Sequence, residues 1–182
     1  MIETSRSFAK DLMLKHGIPT PRGGICSTYE EAFHFCFTHL DEEARLIDGS
    51  RIAIKGDGQD ALFPQTQQEA IQMFGQFWRF PSSSESGEKN QVVYEELVRG
   101  NEISVLSFSD GRKDYVRLPY AQSQKGAYEG DLGAKTKGMG CIAPVSFDSV
   151  IEENIEKIIE KTLLALKLQS KQIPSILDEL EY

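Results

Sequence analysis

The stretch "QVVYEELVRGNEISVLSFSDGRKDYVRLPY", Gln91–Tyr120, decides the fold. It holds three β-rich runs, "QVVYEELV", "EISVLSFS" and "KDYVRLPY". The connectors "RGN" and "DGR" carry the glycine and polar residues of hairpin turns, so the runs predict a hairpin sheet. Upstream the pattern is different. "TSRSFAKDLMLKHGIP" places Phe8, Leu12 and Met13 on one helical face, with Gly17 as a stop and Pro19 after it. "RGGICS" could enter a strand, "TYEEAFHFCFTHLDEEA" reads as a second helix, "RIAIKG" as a strand, and Gln67–Trp78 as a helix. Phe80–Asn90, "FPSSSESGEKN", is polar and small and is expected to be a mobile loop. Downstream, the glycine-dense "GDLGAKTKGMG", Gly130–Gly140, reads as a turn-rich or ligand-binding loop. A long amphipathic helix then runs from Ser149 to about Leu168. Ser149 and Glu152 are its expected capping box, and Ile151, Ile155, Ile158, Ile159, Leu163 and Leu166 its apolar face. Helices interleaved with a hairpin sheet indicate an α+β domain.

Composition narrows the function. The chain has 182 residues, enough to bury a core without disulfides or metal. Its net charge of -8 disfavours bulk nucleic-acid binding but leaves room for a local basic pocket that takes one nucleotide. Cys26, Cys36 and Cys141 are scattered and form no CxxC pair, which fits a reducing compartment. His34 and His39 flank Cys36 at a spacing that fits no common zinc pattern. No apolar run reaches transmembrane length, and "MIETSRSFAKDL" carries charges from its start. The expectation is a cytoplasmic protein with no membrane or nucleic-acid partner.

Four places could carry chemistry. Lys55, at the end of "RIAIKGDG", could direct its ammonium toward phosphate oxygens, or could simply enter a solvent turn. "VVYEELVRGNE", Val92–Glu102, could offer a strand edge to adenine and the Glu102 carboxylate to ribose hydroxyls, or be an ordinary hairpin. In Gly130–Gly140 the glycines would let backbone N–H groups approach an anion, beside Lys135, Thr136 and Lys137. It lacks GxxxxGK[ST] between a strand and a helix, and glycine-rich segments are more often turns. Arg6, on the first turn of the first helix, is a phosphate ligand or a surface cation.

In this order the four resemble one family. "SRSFAKDLMLKHGIPT" is similar to S-K-x-F-x-K-D-F-M-x-R-H-G-I-P-T, and "AIKGDG" to V-I-K-A-D-G. "VVYEELVRGNEIS" is similar to V-V-I-E-E-F-L-x-G-x-E-x-S. "AQSQKGAYEGDLGAKTKGMGCIAPV" is similar to A-Q-D-H-K-R-x-x-D-G-D-x-G-P-N-T-G-G-M-G-A-x-x-P. These are the motifs of the ATP-grasp portion of phosphoribosylamine–glycine ligases, and the resemblance covers Ser5 to Thr162. It implies an ATP-grasp fold, here incomplete: a small lid-type lobe plus part of the larger sheet lobe. Residues 1–168 would form the partial domain and 169–182 a divergent tail. It also implies ATP-dependent joining of glycine to phosphoribosylamine through a glycyl phosphate, with magnesium. Carried over by position, Arg6 and Lys55 would contact phosphate, Glu95, Glu96, Leu97 and Val98 adenine, and Glu102 the ribose. Lys125, Asp131, Thr136, Gly138, Met139 and Gly140 would line the substrate side.

The departures are specific. The family's L-A-A-G-K-G-V lid after I-K-A-D-G is shortened here to "QDALFPQT", without the G-K-G. Ser123, Gln124 and Gly126 replace Asp, His and Arg of Q-D-H-K-R, and Lys135 and Lys137 replace Asn and Gly of P-N-T-G-G-M-G. The family's magnesium-binding E-F-N segment has no counterpart in "LALKLQSKQIPSILDELEY". The chain is therefore expected to be a fragment or degenerate copy with weak or lost ATP binding and no magnesium ligands. The alternative is a non-catalytic interaction domain that meets a protein partner through the last helix.

Overall fold

The computed structural model describes residues 2, 4–58, 60–79, 91–98, 100–110 and 115–170, and for Asp131, Ala134, Lys135, Lys137 and Ser170 the backbone alone. The expected loop at 80–90 and nearly all of the expected tail at 169–182 lie outside the described residues. The chain divides into two compact units, Met1–Val98 and Arg99–Tyr182. The mixture of helix and sheet is the one expected.

The first unit is a three-stranded antiparallel sheet, β1 (Gly23–Cys26), β3 (Val92–Glu96) and β2 (Ile52–Gly56), with β3 in the centre. The register pairs Gly23 and Ala53 with Glu95, and Gly24 and Ile54 with Tyr94. Alternation along β3 sends Tyr94 and Val92 to one face and Glu95 and Val93 to the other. Helices α2 (Tyr29–His39) and α3 (Gln67–Arg79) cover the Tyr94 face. Phe35 stacks on the Tyr94 ring at 3.8 Å, and Phe35, Phe74, Phe77, Ile52, Ile54 and Val92 are buried around it. Each of these helices starts on a threonine cap. Thr28 Oγ1 accepts from Glu31 N at 3.2 Å and Thr66 Oγ1 from Glu69 N at 3.1 Å. The C-terminal carbonyls of α2 are met from outside: Gln67 Nε2 donates to Cys36 O (2.9 Å) and Leu40 O (3.0 Å).

Helix α1 (Arg6–His16) belongs to the Glu95 face, since Lys10 reaches that carboxylate. Ser5 caps its start, and Gly17, in the left-handed conformation at φ 60°, closes it.

The second unit contains the sheet β4 (Ile103–Ser104), β7 (Ala121–Tyr128), β8 (Leu132–Ile142), the hairpin pair β5 (Ser107–Ser109) and β6 (Tyr115–Arg117), and α4 (Ser149–Ser170). Three sequence expectations are corrected. "RGN" does not close a hairpin: β3 pairs with β1 and β2, and β4 with β7. A central strand has both edges taken, so β3 has none left for the run that follows it. The strands of the second expected hairpin do pair, with Phe108 opposite Val116, while most of its "DGR" turn lies outside the described residues. The glycine-dense stretch is mostly strand: β8 pairs with β7, a strand the sequence reading missed. Glycine permissiveness is used inside that strand, at Gly133 (φ 83°) and Gly138 (φ 144°). Third, α4 is capped one residue earlier than expected, by Asp148 Oδ1 accepting from Ile151 N at 2.9 Å.

Candidate functional site

In the first unit, two stretches far apart in sequence are tied at one point. The backbone N–H of Arg6, which opens α1, donates to Asp57 Oδ1 at 2.5 Å, two residues beyond Lys55. Both expected phosphate-contacting cations therefore belong to one corner of this unit. Arg6 also has a buried Nη1 with no hydrogen-bond partner among the described residues. A buried guanidinium donor without a partner suits an anionic oxygen.

Lys55 is aimed by Glu95. Residues 55 and 95 are diagonal neighbours on one sheet face, since Lys55 pairs with Val93 and Ala53 with Glu95. Lys55 Nζ donates to Glu95 Oε2 at 2.5 Å. The other oxygen, Oε1, accepts from Lys10 Nζ at 3.1 Å. Lys10 is buried, with its side chain 2% exposed, whereas that of Lys55 is 33% exposed. Burial pushes the Glu95 carboxyl up, but hydrogen bonds and charge from Lys55 and Lys10 outweigh it and hold Glu95 below its ordinary value. Glu95 thus stays ionised between two ammonium groups.

The adjacent Glu96 points the other way. Its carboxylate accepts from the Arg22 backbone N at 3.0 Å and Arg22 Nε at 2.8 Å, and Arg22 also meets Asp48. In this cluster Arg22 and Asp48 are exposed and the Glu96 side chain is half-buried. The backbone N–H of Leu97 donates to Arg51 O at 2.7 Å, and the side chains of Leu97 and Val98 are exposed.

The remaining expected residues are in the second unit. Glu102 Oε1 accepts from Lys125 Nζ, so residues expected for ribose and for substrate form one ion pair. Thr136 is engaged on both sides: its Oγ1 donates to Lys125 O at 2.9 Å and accepts from Gly138 N at 3.1 Å. The β7–β8 pairing passes from Gln124–Gly140 to Gly126–Lys135, so residues 136–139 form a bulge that Thr136 pins. Met139 is exposed on it, Gly140 returns to the ladder, and Asp131 ends a short 3₁₀ turn.

The sequence reading missed Lys10, Asp57 and Arg22. Lys10 was visible only as one lysine in an amphipathic helix. The carboxylate that buries it is 85 residues away.

Lys55 on the Glu95 face, and the Arg6 Nη1 that has no hydrogen-bond partner among the described residues, fit a nucleotide's phosphates. Among the described residues, no group of three or more His, Cys, Asp or Glu is placed to hold a metal. No helix among them is long and apolar enough to cross a membrane.

Residues 4–177 match the family model "Phosphoribosylglycinamide synthetase, ATP-grasp (A) domain". A phosphoribosylamine–glycine ligase of Streptococcus pneumoniae is 33% identical over 168 residues, which is 89% of this chain and 37% of that relative. The bifunctional purine biosynthetic protein ADE5,7 of Saccharomyces cerevisiae is 34% identical over 164 residues, which is 20% of its length. Among solved structures, phosphoribosylamine–glycine ligase from Thermotoga maritima superimposes with a TM-score of 0.72 at 28% identity, over 91% of this chain and 40% of that one. D-alanine–D-alanine ligase from Bacillus anthracis, complexed with ATP, shares the fold, with a TM-score of 0.58 at 20% identity. The chain thus spans well under half the length of the relatives it matches.

Proposed function

This chain belongs to the phosphoribosylglycinamide synthetase ATP-grasp (A) domain family, and from that premise we propose that it binds the phosphates of an adenine nucleotide through Lys55 and Arg6 without performing ligation by itself. The observation that carries this reading is the Arg6–Asp57 bond, which brings the N-terminus of α1 to the end of β2 and so joins two cations in one corner. The bound nucleotide would supply a transferable phosphoryl group. The chain's own residues would hold it: Lys55 as a point charge, Arg6 as a planar donor. Glu102 remains the candidate for the ribose and Glu95 to Val98 for the adenine, while Lys125 and the bulge at 136–139 are proposed for the substrate side.

The proposal that it does not ligate by itself rests on the departures in the sequence, above all the shortened stretch "QDALFPQT" without the G-K-G. Calorimetry with ATP and with adenosine tests the reading. ATP should bind more tightly than adenosine, and Lys55→Met should remove most of the difference. Equal affinity for the two, or no heat with either, would reject it.

A second reading, a scaffold that docks a protein partner through α4, draws on the exposed apolar side chains Val150, Leu164 and Leu168. Light scattering over a range of chain concentrations, with Leu164→Glu as control, tests the simplest form, self-association.

A further inference from the structure

The carboxylate of Glu95 is shared by two ammonium groups that differ in every respect except charge. Lys10 Nζ has three N–H donors, and three acceptors surround it: Thr20 Oγ1 at 3.1 Å, the Pro21 carbonyl, and Glu95 Oε1 at 3.1 Å. With its side chain 2% exposed, it has neither a donor to spare nor access to a ligand. Lys55 spends one donor on Glu95 Oε2, and its side chain is one-third exposed. One cation is fixed and the other is available.

We infer that Lys10 is a positioning residue: it keeps Glu95 neutralised so that the Lys55 ammonium can be given up to an anionic ligand. Within this triad two lysines and one glutamate leave an excess of one positive charge. If Lys10 were absent, Lys55 and Glu95 would form a neutral pair. Moving Lys55 to a phosphate would then strand a buried carboxylate, which is costly. With Lys10 in place the carboxylate keeps a counterion and two-sided support, and Lys55 leaves at the cost of one hydrogen bond. Lys10 also ties α1, the 20–21 segment and β3 together, so it fixes the direction in which Lys55 is held. The bland alternative is a strut that only joins α1 to the sheet.

This inference rests on the nucleotide reading for its ligand, but it also makes a ligand-free prediction. In Lys10→Met, Glu95 belongs to Lys55 alone. Acylation of the Lys55 amine, followed by peptide mass spectrometry in the folded chain without nucleotide, should slow about tenfold, as expected for a strengthened charged hydrogen bond. ATP affinity should fall by a similar factor while adenosine affinity is unchanged. Adding Glu95→Gln to Lys10→Met should restore Lys55 acylation, because no carboxylate then holds it. A strut would give slower folding or lower stability in both variants and no such rescue. An unchanged Lys55 acylation rate in folded Lys10→Met overturns the inference, whatever the nucleotide result. Failure of the parent chain to bind ATP sinks the nucleotide reading instead. Should Lys10→Met not fold, the parent chain still decides: ATP binding measured in buffers of different ionisation enthalpy should show no proton uptake. Uptake approaching one proton would mean that Glu95 loses its charge when Lys55 leaves, and that Lys10 does not hold it.

Discussion

Cys26 and Cys36 are buried, and loss of hydration pushes both thiols up to about 12, with smaller pushes from Glu31 on Cys26 and from Cys26 on Cys36. Cys141 is exposed. Iodoacetamide on the native chain at mildly alkaline pH should therefore label Cys141 and leave the other two until urea is added, read by intact mass. Equal labelling of all three would contradict their burial. Glu95 makes the second prediction at this scale. Its folded value lies below its ordinary 4.5, so its stabilising effect is complete above that value and is lost as pH falls toward the folded one. Urea unfolding between neutral pH and acid should show the parent's advantage over Glu95→Gln constant above about pH 5 and shrinking below it. A constant advantage throughout would mean that Glu95 does not titrate differently on folding. Arg6 and Lys55 could be singled out in the sequence because a motif order surrounds them, and their contact with phosphate is a proposal. Lys10 could not be, because a lysine in an amphipathic helix looks like a solvated face until the distant Glu95 is placed beside it.

At the scale of elements, what was legible depended on the range of the forces. The α1, α2 and α3 helices, β1 and β2 follow from apolar periodicity, caps and stops within a few residues of one another. Strand partners do not. The run "QVVYEELV" carries no mark that says its neighbours are β1 and β2 rather than the run that follows "RGN". Strand β7 was missed because "AQSQKGAY" lacks β-branched residues, and its pairing with β8 supplies the order that propensity does not. The cap of α4 gives a direct test. Asp148→Ala should cost about 1 kcal/mol through the lost bond to Ile151 N, while Ser149→Ala should cost under about 0.5 kcal/mol. Urea titration followed at 222 nm separates the two, and the reverse order would return the cap to Ser149.

Over the whole molecule, the family is legible because matching motifs recur in order. The chain covers 37% of the S. pneumoniae relative and 40% of the T. maritima structure. Purified chain supplied with ATP, magnesium, glycine and phosphoribosylamine should release no glycinamide ribonucleotide above the rate without protein. Product that disappears with Lys55→Met would overturn this expectation. The opposite directions of Glu95 and Glu96 carry a last consequence, for which changes of length β3 could tolerate during evolution. Its alternation puts a carboxylate held by two lysines toward α1 and a half-buried one paired with Arg22 on the other side. Insertion or deletion of one codon within Val92–Glu96 would exchange the faces, placing the Tyr94 ring against α1 and a carboxylate among the Phe35 and Phe74 rings. Changes of two codons would keep the faces. Length variation at this strand should therefore appear in even steps, or be displaced into the connections on either side.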